Sequence, residues 1–215
     1  MSASNLFFDL DGTLVNSEMG VTRSVVYALE KLGIKEDNRA TLLKFLGPPL
    51  SYSFSTFYGF DAEDTEMALA YYRERYRSVG IHENEVYDGI PELLSLLKKS
   101  GKRLFVATSK PEHFAKMILS ELGLDKYFDG IYGSTLDSSR DTKDKVLEYA
   151  LTEVHADRSD SLMIGDRYHD VEGAKKNGID CIGVLFGFGD REELLSAGAV
   201  SVAETAYELE KILLK

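Results

Sequence analysis

The chain has 215 residues, 44% hydrophobic and 28% charged, which fits one large domain, or one domain carrying a smaller one, around an ordinary core. Its formal charge of −11, from 25 basic and 36 acidic residues, argues against a nucleic-acid partner but leaves room for a small phosphorylated ligand at a locally cationic site. Its apolar runs all fall short of the ~20 residues that cross a bilayer, the stretch MSASNLFFDLDG lacks signal-peptide features, and the single cysteine, Cys181, can form no internal disulfide, so a cytoplasmic protein with no membrane partner is expected.

Residues 5–10, NLFFDL, read as a short buried strand. A helix is expected over 17–33, with Ser17 as its cap, Val21, Val25, Leu29 and Leu32 on one face, and Gly33 at its end. Asn38 can cap a second helix carrying Leu42, Leu43 and Leu46, which the GPP at 47–49 breaks. The aromatic stretch 51–58 and the acidic-headed stretch 62–79 read as two more helices.

Beyond residue 86 the pattern alternates. Helices are expected at 91–101, 111–123, 142–154, 170–178 and 204–214, and strands at 103–108, within 128–135, at 161–166 and at 180–186. Alternating strands and helices imply an α/β fold, a Rossmann-like doubly wound parallel sheet. About 90 residues separate the first two strands, far more than one crossover needs. An inserted all-α unit at 16–85 is therefore expected on a core of 1–15 and 86–215.

Ligands of such sheets bind beyond the carboxyl ends of the strands. Asp9, Asp11, Gly12 and Thr13 follow the first strand there. Thr108, Ser109 and Lys110 follow the second, and Gly165, Asp166 and Asp170 follow the fourth. Lys143 opens the helix after the third. One rule thus gathers carboxylates, hydroxyls and lysines at one edge.

This set resembles the haloacid dehalogenase superfamily of phosphohydrolases. DLDGT at 9–13 is similar to its first motif, the run ending in Thr108 to its second, Lys143 to its third and GDRYHD at 165–170 to its fourth. The insertion looks like the family's C1-type cap. FLGPPL at 45–50, ATSKP at 107–111 and FGFGDREEL at 186–194 bring the chain nearer the phosphoglycolate-phosphatase-like branch. The resemblance implies a Mg²⁺-dependent phosphatase acting on a small phosphorylated metabolite, as a monomer or homodimer. It implies Asp9 as nucleophile and Asp11 as general acid and base. The metal would take carboxylate oxygens of Asp9 and Asp166 and the backbone carbonyl of Asp11, with Asp170 holding a metal-bound water.

The residue types suit that chemistry. A phosphate monoester repels nucleophiles, so catalysis rests on positioning and charge neutralisation. Gly12 lets backbone N–H groups approach a phosphate. Thr108 and Ser109 can bind its oxygens, and Lys143 supplies a point charge that can also hold Asp9. Lys110 can contact substrate; Lys44 and Arg23 read as exposed charge, or as reaching the substrate from the insertion. Asp170 can equally be a helix N-cap for 171–178. Arg167 and His169 read as surface residues, and Cys181 as inert core. The aromatic run Tyr52, Phe54, Phe57, Tyr58 and Phe60 is either the insertion's core or a stacking surface. Asn16 stands where many relatives of this type carry Asp.

Several activities share these motifs. A 5'-nucleotidase, a sugar-phosphate phosphatase and a β-phosphoglucomutase-like phosphomutase stay open, as does a non-catalytic phosphate-binding regulatory module. Hinges are expected near 14–17 and 83–88.

Overall fold

In the computed structural model, which describes residues 3–135 and 139–215, six parallel strands form the central sheet. They are β1 (Asn5–Phe8), β4 (Arg103–Pro111), β5 (Gly130–Ser134), β6 (Ser161–Gly165), β7 (Asp180–Val184) and β8 (Ser201–Ala203), in the order β5-β4-β1-β6-β7-β8. Two short strands, β2 (Val15–Asn16) and β3 (Glu85–Val86), pair separately. All of β1 and β6 is buried, which is why NLFF and SLMIG are continuous rather than alternating apolar runs.

Side chains of one face line up across the sheet. Phe7 is in register with Phe105 on one side and Met163 on the other, and Met163 with Cys181. The Phe7 and Phe105 rings stack with centroids 5.0 Å apart. Helix α7 (Lys143–Glu153) covers this row with Val146, Leu147 and Ala150, and α8 (Tyr168–Lys176) adds Val171 and Ala174. Cys181 is a buried free thiol in that cluster, as its apolar neighbours suggest. The remaining helices of the sheet region are α5 (Ile90–Lys99), α6 (Glu112–Glu121), α9 (Arg191–Ala197) and α10 (Ala206–Leu213).

The chain divides into two compact units, 1–15 with 86–215, and 16–85. The second is helical: α1 (Glu18–Lys31), α2 (Arg39–Leu43), α3 (Leu50–Tyr58) and α4 (Ala62–Ser78). Its aromatic run packs inside it. Phe54 is fully buried against Phe45 at 5.0 Å and Phe60 at 6.1 Å, while Tyr52 stays 54% exposed.

Local chemistry differs from expectation at three places. Ser17 sits at the N-cap of α1 but makes no cap bond; the Asn16 side chain accepts from Glu18 N–H at 3.0 Å instead. Helix α8 starts at Tyr168, not 170. Asp170 is therefore at the third helical position, where its Oδ2 accepts from Arg167 N–H at 3.0 Å. Helix α9 and strand β8, seven and three residues long, were not expected, being too short for periodicity to signal.

Phe105 carries the centre of the core row. Replacing it with Ala should remove about 3–5 kcal/mol of unfolding free energy through lost burial and an unfilled cavity. Urea denaturation should show this as a lower midpoint with an unchanged slope.

Candidate active site

The sheet order reverses at β1. The chain runs outward through β4 and β5, then returns to β6 on the opposite side of β1. That switch point is where an open parallel sheet leaves a crevice. Asp9 lies there because β1 ends one residue earlier, and its N–H still bonds Ile164 O of β6 at 2.9 Å.

The chain then turns sharply. Leu10 O accepts from Thr13, Leu14 and Val15 N–H at 3.3, 2.9 and 3.0 Å. Gly12 takes φ +80°, and a Cβ there would collide with the Asp166 carboxylate. Glycine is thus required twice, for its backbone and for its neighbour.

Asp166 follows β6 and is fully buried. Its Oδ1 accepts from the Thr13 hydroxyl at 3.3 Å and its Oδ2 from Phe188 N–H at 2.8 Å. The 186–190 loop reaches it because Gly187 and Gly189 have no side chains. A Cβ on either would strike Gly12 O or the Asp166 backbone oxygen. Glu193 fastens this region, accepting from Arg167 Nε and Tyr168 N–H, both at 2.8 Å. Phe188 and Glu193 were not foreseen as site residues, and Thr13 was placed at this edge without its bond to Asp166. The repeated glycines of FGFG were a readable sign of close backbone approach.

Lys143, the first residue of α7, is 5% exposed. Its Nζ lies 2.7 Å from Asp9 Oδ1 and 2.9 Å from Asp170 Oδ1 and donates to Ala107 O at 3.1 Å. Both carboxylate oxygens thus share this one ammonium, and neither has a further hydrogen-bond partner among the described residues. Gly165 admits Asp170 to the cluster, because a Cβ there would overlap its carboxylate. Asp9, Asp166 and Asp170 each offer an oxygen within 4.8 Å of the others.

On the other side, β4 carries a register shift between Thr108 and Pro111. Thr108 is buried, and its Oγ1 accepts from Lys110 N–H at 3.2 Å. Ser109 is half-buried beside it. Lys110 Nζ lies 2.6 and 2.7 Å from the two carboxylate oxygens of Asp11.

A model of the haloacid dehalogenase-like hydrolases matches residues 6–184. The chain belongs to that family. It is similar to a 5'-nucleotidase of Pseudomonas aeruginosa, 48% identical over 190 residues that cover 88% of this chain and 86% of the relative. It is also similar to the tyrosine-protein kinase PtkA of Mycobacterium tuberculosis, 38% identical over 97% of this chain and 72% of that one. The crystal structure of a predicted phosphatase from Clostridium acetobutylicum superposes with a TM-score of 0.96 at 47% identity, covering 100% of this chain and 99% of that one.

Within this hydrolase the site is electrostatically unbalanced. Three buried carboxylates face one buried ammonium. Burial above all, then the Asp170 charge, lifts the Asp9 carboxyl to about 6, against the lowering effect of Lys143. Asp166 is raised well above the usual carboxylate range by burial first, then by Asp170 and Asp9. Burial pulls the Lys143 ammonium down, but Asp170 and Asp9 outweigh it and hold it above its ordinary value. Close carboxylates with incompletely bonded oxygens are a donor set that a hard divalent cation would complete.

The sheet edge thus holds Asp9, Asp11, Gly12, Thr108, Ser109, Lys110, Lys143, Asp166 and Asp170. Lys44 belongs to the helical unit, where its Nζ lies 5.8 Å from the Phe57 ring centroid. Arg23 pairs with Glu83 at 2.7 Å in the same unit. Arg167 and His169 are half-buried rather than surface residues. Arg167 is drawn in by Glu193, and burial lowers the His169 pKa.

A carboxyl raised on folding binds its proton more tightly folded than unfolded. Its stabilising contribution is complete below about pH 4 and is lost as pH rises through about 6. In EDTA, the melting temperature should therefore fall between pH 5 and pH 7, and Asp9→Asn should reduce that fall. Thermal melts of both proteins at the two pH values measure it.

Proposed function

We propose that the protein is a Mg²⁺-dependent phosphomonoesterase working through an aspartyl-phosphate on Asp9. One observation carries this reading: Asp9 stands at the switch point in a buried carboxylate cluster that a single ammonium leaves anionic. Asp9, Asp166 and Asp170 would hold the cation, which would neutralise their charge and that of the incoming phosphate. Asp11 is not one of those three carboxylates; its side chain is paired with Lys110.

The remaining steps belong to the chain's own groups. Backbone N–H groups around Gly12, with Thr108 and Ser109, orient the phosphoryl oxygens. An Asp9 carboxylate oxygen forms a bond to phosphorus as the ester P–O bond breaks. The leaving alkoxide takes a proton from the Asp11 carboxyl. Water then attacks phosphorus and gives its proton to the Asp11 carboxylate. The bond from Asp9 to phosphorus breaks, and phosphate leaves. Lys143 keeps the Asp9 oxygens oriented throughout.

The unit 16–85 is read as a cap that closes to exclude water and opens for product. Its connections fall in β2 and β3, inside the hinge stretches 14–17 and 83–88. Among substrates, nucleoside monophosphates rank ahead of phosphoglycolate. The 5'-nucleotidase relative is 48% identical, whereas a phosphoglycolate phosphatase of Colwellia psychrerythraea is 30% identical over 95% of this chain.

Free-phosphate release across nucleoside monophosphates, phosphoglycolate and sugar phosphates, with and without EDTA, tests the activity. Turnover should require the divalent cation. Asp9→Asn should reduce release to background while the circular dichroism spectrum is unchanged. Near-normal turnover by that variant would refute the nucleophile assignment, and isomerised sugar phosphate without free phosphate would point to a mutase.

A further inference from the structure

We propose that Lys110 is a positioning residue for Asp11, holding the carboxyl in the orientation from which it serves the leaving group. The inference rests on the reading of Asp11 as general acid.

The backbone around Lys110 is built to aim it. Thr108 pairs with Gly133 and Pro111 with Ser134, so Ser109 and Lys110 are extra residues in a bulge of β4. Bulges beside active sites re-aim side chains. The Lys110 N–H is tied to the Thr108 hydroxyl at 3.2 Å, and the next residue, Pro111, is the N-cap of α6. Gly133 makes room for the bulge, since a Cβ there would meet the backbone of Lys110 and Glu112.

The side chain is ordered as firmly. It is only 6% exposed, against 20% for Asp11. Its ammonium touches both oxygens of Asp11, at 2.6 and 2.7 Å, which fixes the plane of the carboxylate as well as its position. Asp11 needs such a clamp. The turn fixes its backbone, through the Gly12 N–H to Val15 O at 2.8 Å, but leaves the rotation of its carboxyl to be set by a side-chain partner. The two lysines divide the two aspartates between them, Lys143 on Asp9 and Lys110 on Asp11.

A residue that positions the proton donor matters in proportion to how badly the leaving group needs the proton. A phosphate ligand would instead matter equally for every ester. The experiment measures kcat/KM for a series from p-nitrophenyl phosphate to alkyl phosphates, with inorganic phosphate as competitive inhibitor. The proteins are wild type, Lys110→Met, Lys110→Gln, Lys110→Arg and Asp11→Asn. In the neutral Lys110 variants, alkyl esters should lose about 10–100-fold and the nitrophenyl ester less than about threefold. Inhibition by phosphate should be unchanged, and Lys110→Arg should recover most of the loss.

Asp11→Asn should show the same skew, more steeply. A uniform loss in the Lys110 variants would overturn the proposal, assigning Lys110 to phosphate binding if inhibition also weakens and to the fold if it does not. Skew in Asp11→Asn without skew in either neutral Lys110 variant would overturn the proposal and leave the acid reading standing. No skew in Asp11→Asn would remove that reading and the proposal together.

Discussion

Three carboxylates and one ammonium, all buried at the end of a parallel sheet, set the terms for everything around them. Buried unpaired charge is among the most costly features a fold can carry. Every nearby peculiarity serves to bring these groups close or to satisfy them. Gly12, Gly165 and Gly187 lack side chains where a Cβ would overlap a carboxylate or its neighbouring backbone. Thr13 and Phe188 N–H supply hydrogen bonds to Asp166. Asp170 uses one oxygen to cap α8 and turns the other to Lys143. The site is less a set of residues placed on a scaffold than a constraint the scaffold was shaped to meet.

That constraint explains what could be read from the sequence. The sheet was legible because its strands are continuous apolar runs and its helices carry broad apolar faces. Asp9, Asp166 and Lys143 were legible because one topological rule fixes which strand ends converge. The register was not. Whether Lys110 meets substrate or Asp11 depends on two extra residues in β4, and neither periodicity nor composition encodes a bulge. The start of α8 was misplaced for a related reason. An aspartate near a helix start reads as an N-cap, yet Asp170 reaches back to Arg167 N–H from the third helical position, and the two placements look alike in sequence. The glycines of FGFG were visible but had no partner until the fold brought Asp166 beneath them.

The two aspartates of DLDGT show how environment divides labour between identical groups. Asp9 and Asp11 are separated by Leu10 alone, which is fully buried. Asp9 faces inward, where burial lifts its carboxyl and Lys143 restrains it. Asp11 faces a more open space and meets a different lysine. A nucleophile must be ionised and fixed, and an acid must reach the leaving group without joining the metal-ligand cluster. On the proposed assignment, the separate counter-ions of Asp9 and Asp11 serve these two needs independently.

The relatives sharpen this point. Proteins named as a nucleotidase and as a tyrosine kinase share more than a third of this sequence over most of its length. On the proposed mechanism a phosphorylated Asp9 can pass its phosphoryl group to water or to another acceptor, so the nucleophile does not by itself choose the outcome. The choice lies with whatever deprotonates the acceptor and with what is admitted beside it. On the proposed mechanism the first of those tasks falls to Asp11, so the groups that orient Asp11 would bear on the reaction as directly as the nucleophile does. Lys110 is the group that the bulge of β4 sets against Asp11, so on the proposed mechanism this ion pair lies where the acceptor is activated.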